Sequence, residues 1–145
     1  MQRRQLGHQV KSAGRAVYFE LLLNRMQVVL ARDYGSFLPL SRSAFERLLP
    51  ELAAWLPTES LQTIVTAYMG HAGYAQAGTE AEAPVELRRR ALDGIEAAHR
   101  FALDTLRSRL FSRREIAALS RSGGPYAIGA PVSELPSSDA RPAGT

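Results

Sequence analysis

The chain has 145 residues, no cysteine and a formal net charge of +4. This length corresponds to one domain, and 46% apolar with 22% charged residues is typical of a globular protein and too apolar for a wholly disordered one. The absence of cysteine excludes disulfides, thiolate metal sites, iron–sulfur clusters and cysteine nucleophiles.

The first predicted element is a long helix over residues 5–33. Apolar side chains recur along it at spacings of three and four residues, the period of one helical face. Further apolar residues widen that face, so we expect contacts on two sides, with other helices or with a second copy. Tyr34-Gly35 closes the helix, because glycine readily accepts a left-handed conformation. The candidate interaction face consists of Phe19, Leu22, Leu23, Met26 and Leu30.

Two further helices are predicted in the middle of the chain. Ser43 and Glu46 have the spacing of a capping box, which opens a short helix. Pro50 lies inside this helix, and we expect a kink or a break there. The pair Leu56-Pro57 begins the next helix, since proline is well tolerated near the first helical position. From Gly78 to Pro84 the sequence predicts an exposed acidic loop.

The longest periodic stretch runs from Val85 to about Leu110. Its apolar seam has steps of three and four residues and includes one histidine, the pattern of helix packing. A second capping box, Ser112 with Glu115, opens a short final helix. The seam residues are Leu92, Ile95, His99, Ala102, Leu106 and Leu110.

Beyond residue 121, proline, glycine, serine and alanine dominate, and large apolar groups are few. Such a segment cannot bury enough surface to offset its ordering entropy. The prediction is an all-α fold: an antiparallel helical bundle of three main helices plus two short ones in residues 1–121, followed by a disordered C-terminal tail over residues 122–145.

Glu96 and His99 form the only arrangement with metal-ligand spacing. A Glu-x-x-His pair from each of two helices helps to build di-iron sites in bundles, but here only one such pair exists. A homodimer could supply a second pair, with Glu20 as a further carboxylate. We favour a simpler interpretation, with His99 partly buried and hydrogen-bonded to a neighbour and Glu96 in solvent. No metal site and no cofactor is predicted.

Two polar residues, Glu20 and Asn24, lie one turn apart on the most apolar helix. Buried polar groups need partners, so we expect them to fasten this helix to a neighbouring backbone end or to each other. A catalytic carboxylate would need a second acid or base at a defined spacing, and none is present. The chain also lacks a glycine-rich phosphate loop, a nucleophile elbow and a paired-histidine zinc motif. We predict that the protein is not an enzyme and that no residue is catalytic.

The charges are distributed in blocks along the chain. Residues 1–32 carry a net +5, residues 33–87 a net −5 and residues 88–121 again a net +5. The basic ends suggest an anionic partner, although they could equally pack against the acidic middle segment, and a solvated face is the favoured interpretation. The candidate basic surface consists of Arg107, Arg109, Arg113 and Arg114.

Several short motifs lie between about residues 16 and 74. They are Ala16-Val17-Tyr18-Phe19-Glu20 with Asn24, Ser41-Arg42-Ser43-Ala44-Phe45-Glu46, Pro50-Glu51-Leu52, Leu56-Pro57 and Ala67-Tyr68. These motifs resemble those of an uncharacterised family of small bacterial α-helical proteins, which usually carries an N-terminal membrane-spanning helix that is absent here. The resemblance implies a helical module that binds or braces something else, with no established activity.

The functional expectation is a non-enzymatic helical protein that acts through association, as a homo-oligomer or with a protein partner. The alternative is binding of nucleic acid or an anionic membrane surface through the arginine-rich helices. No small-molecule substrate is inferred. No membrane span or secretory signal is recognised, so we expect a cytoplasmic location, at the membrane periphery if the reading frame begins upstream and encodes a span.

Overall fold

The computed structural model describes residues 2–80 and 82–121, with side chains for residues 7–80 and 82–118. Within these residues the fold is all-α, as predicted, and no helix combines the length and apolarity needed to cross a membrane. The predicted disordered tail, residues 122–145, lies outside the described residues. The helices are α1 (Gln2–Tyr34), α2 (Ser43–Trp55), α3 (Thr58–Thr79), α4 (Val85–Leu110) and α5 (Arg113–Arg121).

The long helices α1, α3 and α4 form the bundle, and α4 packs against both of the others. Two ion pairs show that α1 and α4 are antiparallel, since Arg25 meets Glu96 and the later Arg32 meets the earlier Asp93. On the other side of α4, a Cβ placed on Gly70 of α3 would lie only 3.2 Å from the Ile95 side chain. The absence of a side chain at this position allows α3 to approach α4 closely.

Buried apolar side chains form two clusters along the bundle. The larger one joins all four of the helices α1 to α4, around Leu21, Leu52, Ile64 and Leu106. The smaller one lies where the end of α1 meets the end of α3 and the start of α4. The predicted seam of α4 is confirmed, with Ile95 partly buried and its other five residues buried. Removal of this apolar surface from water is the main force that assembles the helices.

The end of α1 and the start of α5 agree with the predictions, whereas the start of α2 does not. Gly35 has φ +70° and ends α1, and the Ser112 hydroxyl accepts a hydrogen bond from the Glu115 backbone N–H at the start of α5. The capping box of α2 was wrong, because the Glu46 carboxylate accepts from Arg42 Nε and not from the Ser43 backbone. Of the kink or break expected at Pro50, the break is absent, since α2 is continuous and has buried side chains on either side of the proline.

Candidate functional site

The inward side of α1 carries a buried carboxylate that caps α2. Glu20 is 7% exposed and accepts hydrogen bonds from the backbone N–H groups of Ala44 (2.9 Å) and Phe45 (3.1 Å). The hydroxyls of Tyr68 (2.7 Å) and Ser41 (2.8 Å) donate to the same carboxylate. Burial alone would raise the pKa of Glu20, but these donors outweigh it and hold the pKa below its ordinary value. The carboxylate is ionised and satisfies amides that the helix end leaves without partners.

One turn later, Asn24 ties α1 to the connection that precedes α2. Its Nδ2 donates to the Ser41 carbonyl (2.6 Å), and its Oδ1 accepts from the Ser41 backbone N–H (2.8 Å). His71 Nε2, from α3, donates to the same carbonyl at 3.2 Å. The prediction that Glu20 and Asn24 fasten α1 to a neighbouring backbone end is therefore confirmed.

Glu96 lies in the interior, so its predicted place in solvent was wrong. The side chain is 8% exposed, and Arg25 Nε and Nη2 donate to its Oε1 at 3.1 and 2.8 Å. Arg100 forms an ion pair with the other carboxylate oxygen at 3.0 Å. The sequence prediction failed because Arg25 belongs to α1, and only the antiparallel pairing of α1 with α4 brings it to Glu96. Two guanidinium groups compensate the buried charge, which would otherwise be strongly destabilising.

His99 is fully buried, whereas partial burial was predicted. Its Nδ1 donates to the Ile95 carbonyl, which agrees with the predicted hydrogen bond to a neighbour. Burial lowers the pKa of His99, so the imidazole is neutral. The His71 ring centroid lies 6.2 Å away. Among the described residues, neither Nε2 of His99 nor Nδ1 of His71 has a hydrogen-bond partner. In the same part of the chain, no group of three histidine, aspartate or glutamate side chains is arranged to hold a metal ion.

The outward side of α1 is apolar. Every exposed side chain between residues 16 and 32 is a large hydrophobic one. The exposed fraction is 39% for Phe19, 61% for Leu23, 47% for Met26 and 38% for Leu30. These four residues follow one another at steps of four, three and four, and we call them the α1 stripe. Along a helix they span about 16 Å.

The α1 stripe results from a division of the helix into two apolar sides. Val17, Leu21 and Val28 are fully buried on the side that faces the bundle, about 180° around the helix from the stripe. Leu22, the fifth residue of the predicted interaction face, is partly buried and packs against the larger core cluster. Glu20, Asn24 and Arg25 contact neighbouring elements on the inward side, and none of the exposed residues between 16 and 32 is charged.

The four arginines of the predicted basic surface lie at one end of the bundle. Arg109, Arg113 and Arg114 are exposed, while Arg107 forms an ion pair with Asp104 at 3.0 Å. The antiparallel packing of α1 against α4 places the start of α1 at this same end. Arg15 of α1 lies over the Phe111 ring at 5.6 Å and pairs with Glu115 at 3.4 Å. We call Lys11, Arg15 and these four arginines the basic end.

A second exposed apolar region lies between α3 and α4. Met69 on α3 and Phe101 on α4 are 72% and 66% exposed and line an open groove. Small residues of α4, Gly94 and Ala98 among them, also line it. Polar side chains of α3 share the groove, which distinguishes it from the α1 stripe.

Besides Arg25, sequence reasoning missed three residues of the polar interior: Ser41, Tyr68 and His71. The sequence suggested no partner for the Tyr68 hydroxyl, yet a buried tyrosine hydroxyl usually finds one. The search for donors to Glu20 could therefore have identified it. Ser41 and His71 carry no periodic signal, because their contacts depend on how the connection before α2 folds back over α1 and α3.

Comparison with protein-family models, with curated proteins and with solved structures finds no match to this chain. The stripe, the basic end and the buried polar network are therefore interpreted from their own geometry and chemistry.

Proposed function

We propose that the protein is a non-enzymatic helical module that associates with a second copy of itself through the α1 stripe. The observation that carries this proposal is the composition of the outward side of α1, where every exposed residue from 16 to 32 is a large apolar side chain. Soluble monomers rarely expose a contiguous apolar patch without a function, and such patches commonly mark interaction sites.

The shape and pattern of the stripe favour another helix as its occupant. Steps of four, three and four are those of a helix-packing seam, in which side chains of one helix insert between those of the next. A second α1 carries the same pattern, so one patch can serve both partners in a two-fold interface.

A lipid surface is less well supported than a helix as the occupant of the α1 stripe. Membrane-surface helices place basic side chains along the polar face beside the apolar one. Here Arg25 is the only basic residue between Phe19 and Leu30, and it is engaged with Glu96 in the interior.

The buried carboxyl groups argue for a structural role of the interior. Glu20 is held by backbone amides and hydroxyls, and Glu96 by two arginines. A general acid or base needs to change its protonation state near the working pH, and the low pKa of Glu20 opposes this. These contacts support a bracing role in the bundle over catalysis.

The size of the stripe sets the expected affinity. Stable interfaces bury about 800 Å² on each partner, and smaller ones are typically weak or transient. A stripe of four partly exposed side chains is a small contact of this weaker kind. We therefore expect a dissociation constant in the micromolar range, equivalent to about −8 kcal/mol.

Sedimentation equilibrium across the micromolar range tests self-association. The wild-type protein is expected to dimerise, and Leu23→Glu to be monomeric because it places a charge in the centre of the stripe. Met69→Glu is the matched control, since this residue is also exposed and apolar but lies in the α3–α4 groove. A monomeric wild type contradicts the proposal. If that monomer bound anionic vesicles in a Leu23-dependent way, the stripe would instead be assigned to a lipid surface.

A second candidate function is nucleic-acid binding at the basic end. The observation that favours it is the meeting of two basic segments, far apart in sequence, at the same end of the bundle. Contacts between arginine and phosphate release counterions, so affinity should fall steeply with salt. Fluorescence anisotropy with random duplex DNA and with RNA checks this, using the double variant Arg113→Glu, Arg114→Glu as control. An absence of binding at low salt contradicts it.

A further inference from the structure

We infer that two copies pair their α1 helices antiparallel, with the two-fold axis between Leu23 and Met26. This inference rests on the proposed self-association and adds the orientation and register of the partner. It assigns Phe19 of one copy to Leu30 of the partner subunit, and Leu23 to Met26 of the partner subunit.

The spacing of the stripe is the same in both directions along the helix. Its steps of four, three and four are symmetric about the midpoint between Leu23 and Met26. An antiparallel copy therefore matches every stripe residue with a stripe residue at one single register. A shift by one turn would leave at least one large apolar side chain at each end without a partner. The symmetric spacing thus defines both the axis and the register.

The charges on α1 favour the antiparallel direction. Lys11 and Arg15 are exposed toward its start, whereas Asp33 is exposed at its end. Parallel helices would place each basic residue at the same level as its own copy and far from Asp33 of the partner subunit, so like charges repel and no opposite charge compensates them. In the antiparallel register, Arg15 instead approaches Asp33 of the partner subunit, on the same edge of the stripe.

The groups needed for this contact are accessible. The Arg15 side chain is 44% exposed, and its pair with Glu115 is long at 3.4 Å. The Asp33 side chain is 30% exposed, and it already accepts from Arg32 at 3.1 Å with one of its two oxygens. Exposed ion pairs of this kind contribute little to affinity but do select between orientations.

The aromatic residue at the end of α1 fits the same arrangement. Tyr34 is 80% exposed, one turn beyond Leu30. In the antiparallel register it lies opposite Ala16 of the partner subunit, a small residue that leaves room for a large ring. A parallel pair would place the two Tyr34 rings at one level on opposite edges of the contact and would bring neither ring to Ala16 of the partner subunit. Large residues thus face small ones only when the helices run in opposite directions.

Disulfide crosslinking tests the orientation, and the cysteine-free chain gives it no background. The single variants are Phe19→Cys and Leu30→Cys. In the antiparallel pair, two copies of the Phe19→Cys site are separated by about 16 Å along the axis, beyond the roughly 7 Å between Cα atoms that a disulfide allows. Each variant alone is therefore expected to stay uncrosslinked, whereas an equimolar mixture of the two forms a mixed disulfide dimer.

A second pair of variants keeps the whole stripe intact. Ala16→Cys and Tyr34→Cys lie beyond its two ends, so a loss of association caused by replacement of Phe19 or Leu30 does not affect them. The mixture of these two variants is also expected to crosslink at least tenfold faster than either alone. Met69→Cys mixed with either partner is the matched control for random collision.

The outcomes separate this inference from the proposed function. A mixed disulfide that exceeds both single-variant products supports the antiparallel pair. Homodisulfides of Phe19→Cys that exceed the mixed product overturn it in favour of a parallel pair, while self-association through the stripe stands. A protein that dimerises by sedimentation but gives no stripe disulfide above the Met69→Cys control overturns both. A protein that is monomeric by sedimentation contradicts the proposed function itself.

Discussion

At the scale of single residues, Glu20 is the side chain on which most neighbouring groups depend. It accepts from two backbone amides of α2 and from the Tyr68 hydroxyl, so its carboxylate joins α1, α2 and α3. The pKa of the Tyr68 hydroxyl is raised, first because the group is buried and second because it lies beside the Glu20 carboxylate. An apolar residue in this position would leave three buried donors without an acceptor.

We expect Glu20→Ala to reduce the free energy of unfolding by about 3 kcal/mol or more, because each buried donor left without a partner costs roughly 1–3 kcal/mol. Urea denaturation followed by circular dichroism measures this. Glu46→Ala is the control, since its ion pair with Arg42 is exposed and is worth less than about 1 kcal/mol. Equal stability of the Glu20→Ala and Glu46→Ala proteins would contradict the capping role.

His99 makes the stability of the protein sensitive to mild acid. Its pKa is lowered by burial, while the unfolded chain binds the proton near pH 6.5. The charged groups nearest to it are Glu96 on its own helix and Arg25 on α1, which pair with each other, and His71 faces it from α3. As the pH falls below the unfolded value, the unfolded state binds the proton first, so stability decreases.

The expected result is a fall in the urea midpoint of the wild type between pH 7.5 and pH 5, which His99→Gln removes. Glutamine is similar in size to histidine and does not titrate. His8→Gln serves as the control because this histidine is exposed. A pH profile of His99→Gln that equals the wild-type profile would show that His99 is not responsible.

At the scale of helices, the crossing of α1 with α2 and α4 depends on Gly14. A Cβ at this position would lie 2.6 Å from Leu110 Cδ2 and 2.8 Å from Trp55 Cζ3. Neither side chain is at a free surface, since Leu110 is buried and Trp55 packs against the larger core cluster. The helices approach this closely only because the side chain is missing.

Two glycine substitutions in α1 should therefore have opposite effects. Gly14→Ala is expected to lower the free energy of unfolding by about 1–3 kcal/mol through overpacking. Gly7→Ala, where a Cβ meets no atom within 4 Å, is expected to raise it by about 0.5–1 kcal/mol through helix propensity. Thermal unfolding of both variants measures the difference, and a Gly14→Ala protein as stable as Gly7→Ala would contradict the close crossing.

At the scale of the whole molecule, self-association couples stability to protein concentration. A dimer of folded chains stabilises the folded state by mass action, so the melting temperature should rise with concentration. Differential scanning fluorimetry between about 2 and 200 µM, a range that brackets a micromolar dissociation constant, is expected to show this rise for the wild type and for Met69→Glu. For Leu23→Glu the melting temperature should stay constant. A constant value for the wild type would speak against the dimer.

Periodicity was sufficient to locate the helices, since it depends only on neighbours within one turn. Periodicity placed α4. The conformational freedom of glycine placed the end of α1, and the need of buried polar groups for partners identified Glu20 and Asn24 as anchors for a backbone end. Periodicity was insufficient at the start of α2. There the Ala44 backbone N–H donates to the carboxylate of Glu20, 24 residues earlier in the chain, and the predicted local capping box does not form. Periodicity also failed for Glu96, whose partner Arg25 is 71 residues away.

The sequence by itself determined the all-α class, the order of the five helices and the presence of a wide apolar surface on α1, because helix formation and amphipathicity are local properties of a chain. Only the tertiary structure decided which side of α1 is covered. Val17 and Leu21 are fully buried in the cluster shared with α2 to α4, whereas Phe19 and Leu23 remain exposed. In the sequence, both sides of α1 carry large apolar residues at helical spacing. Whether a side is buried depends on which other helices pack against it, and the periodicity of one segment contains no information about those helices.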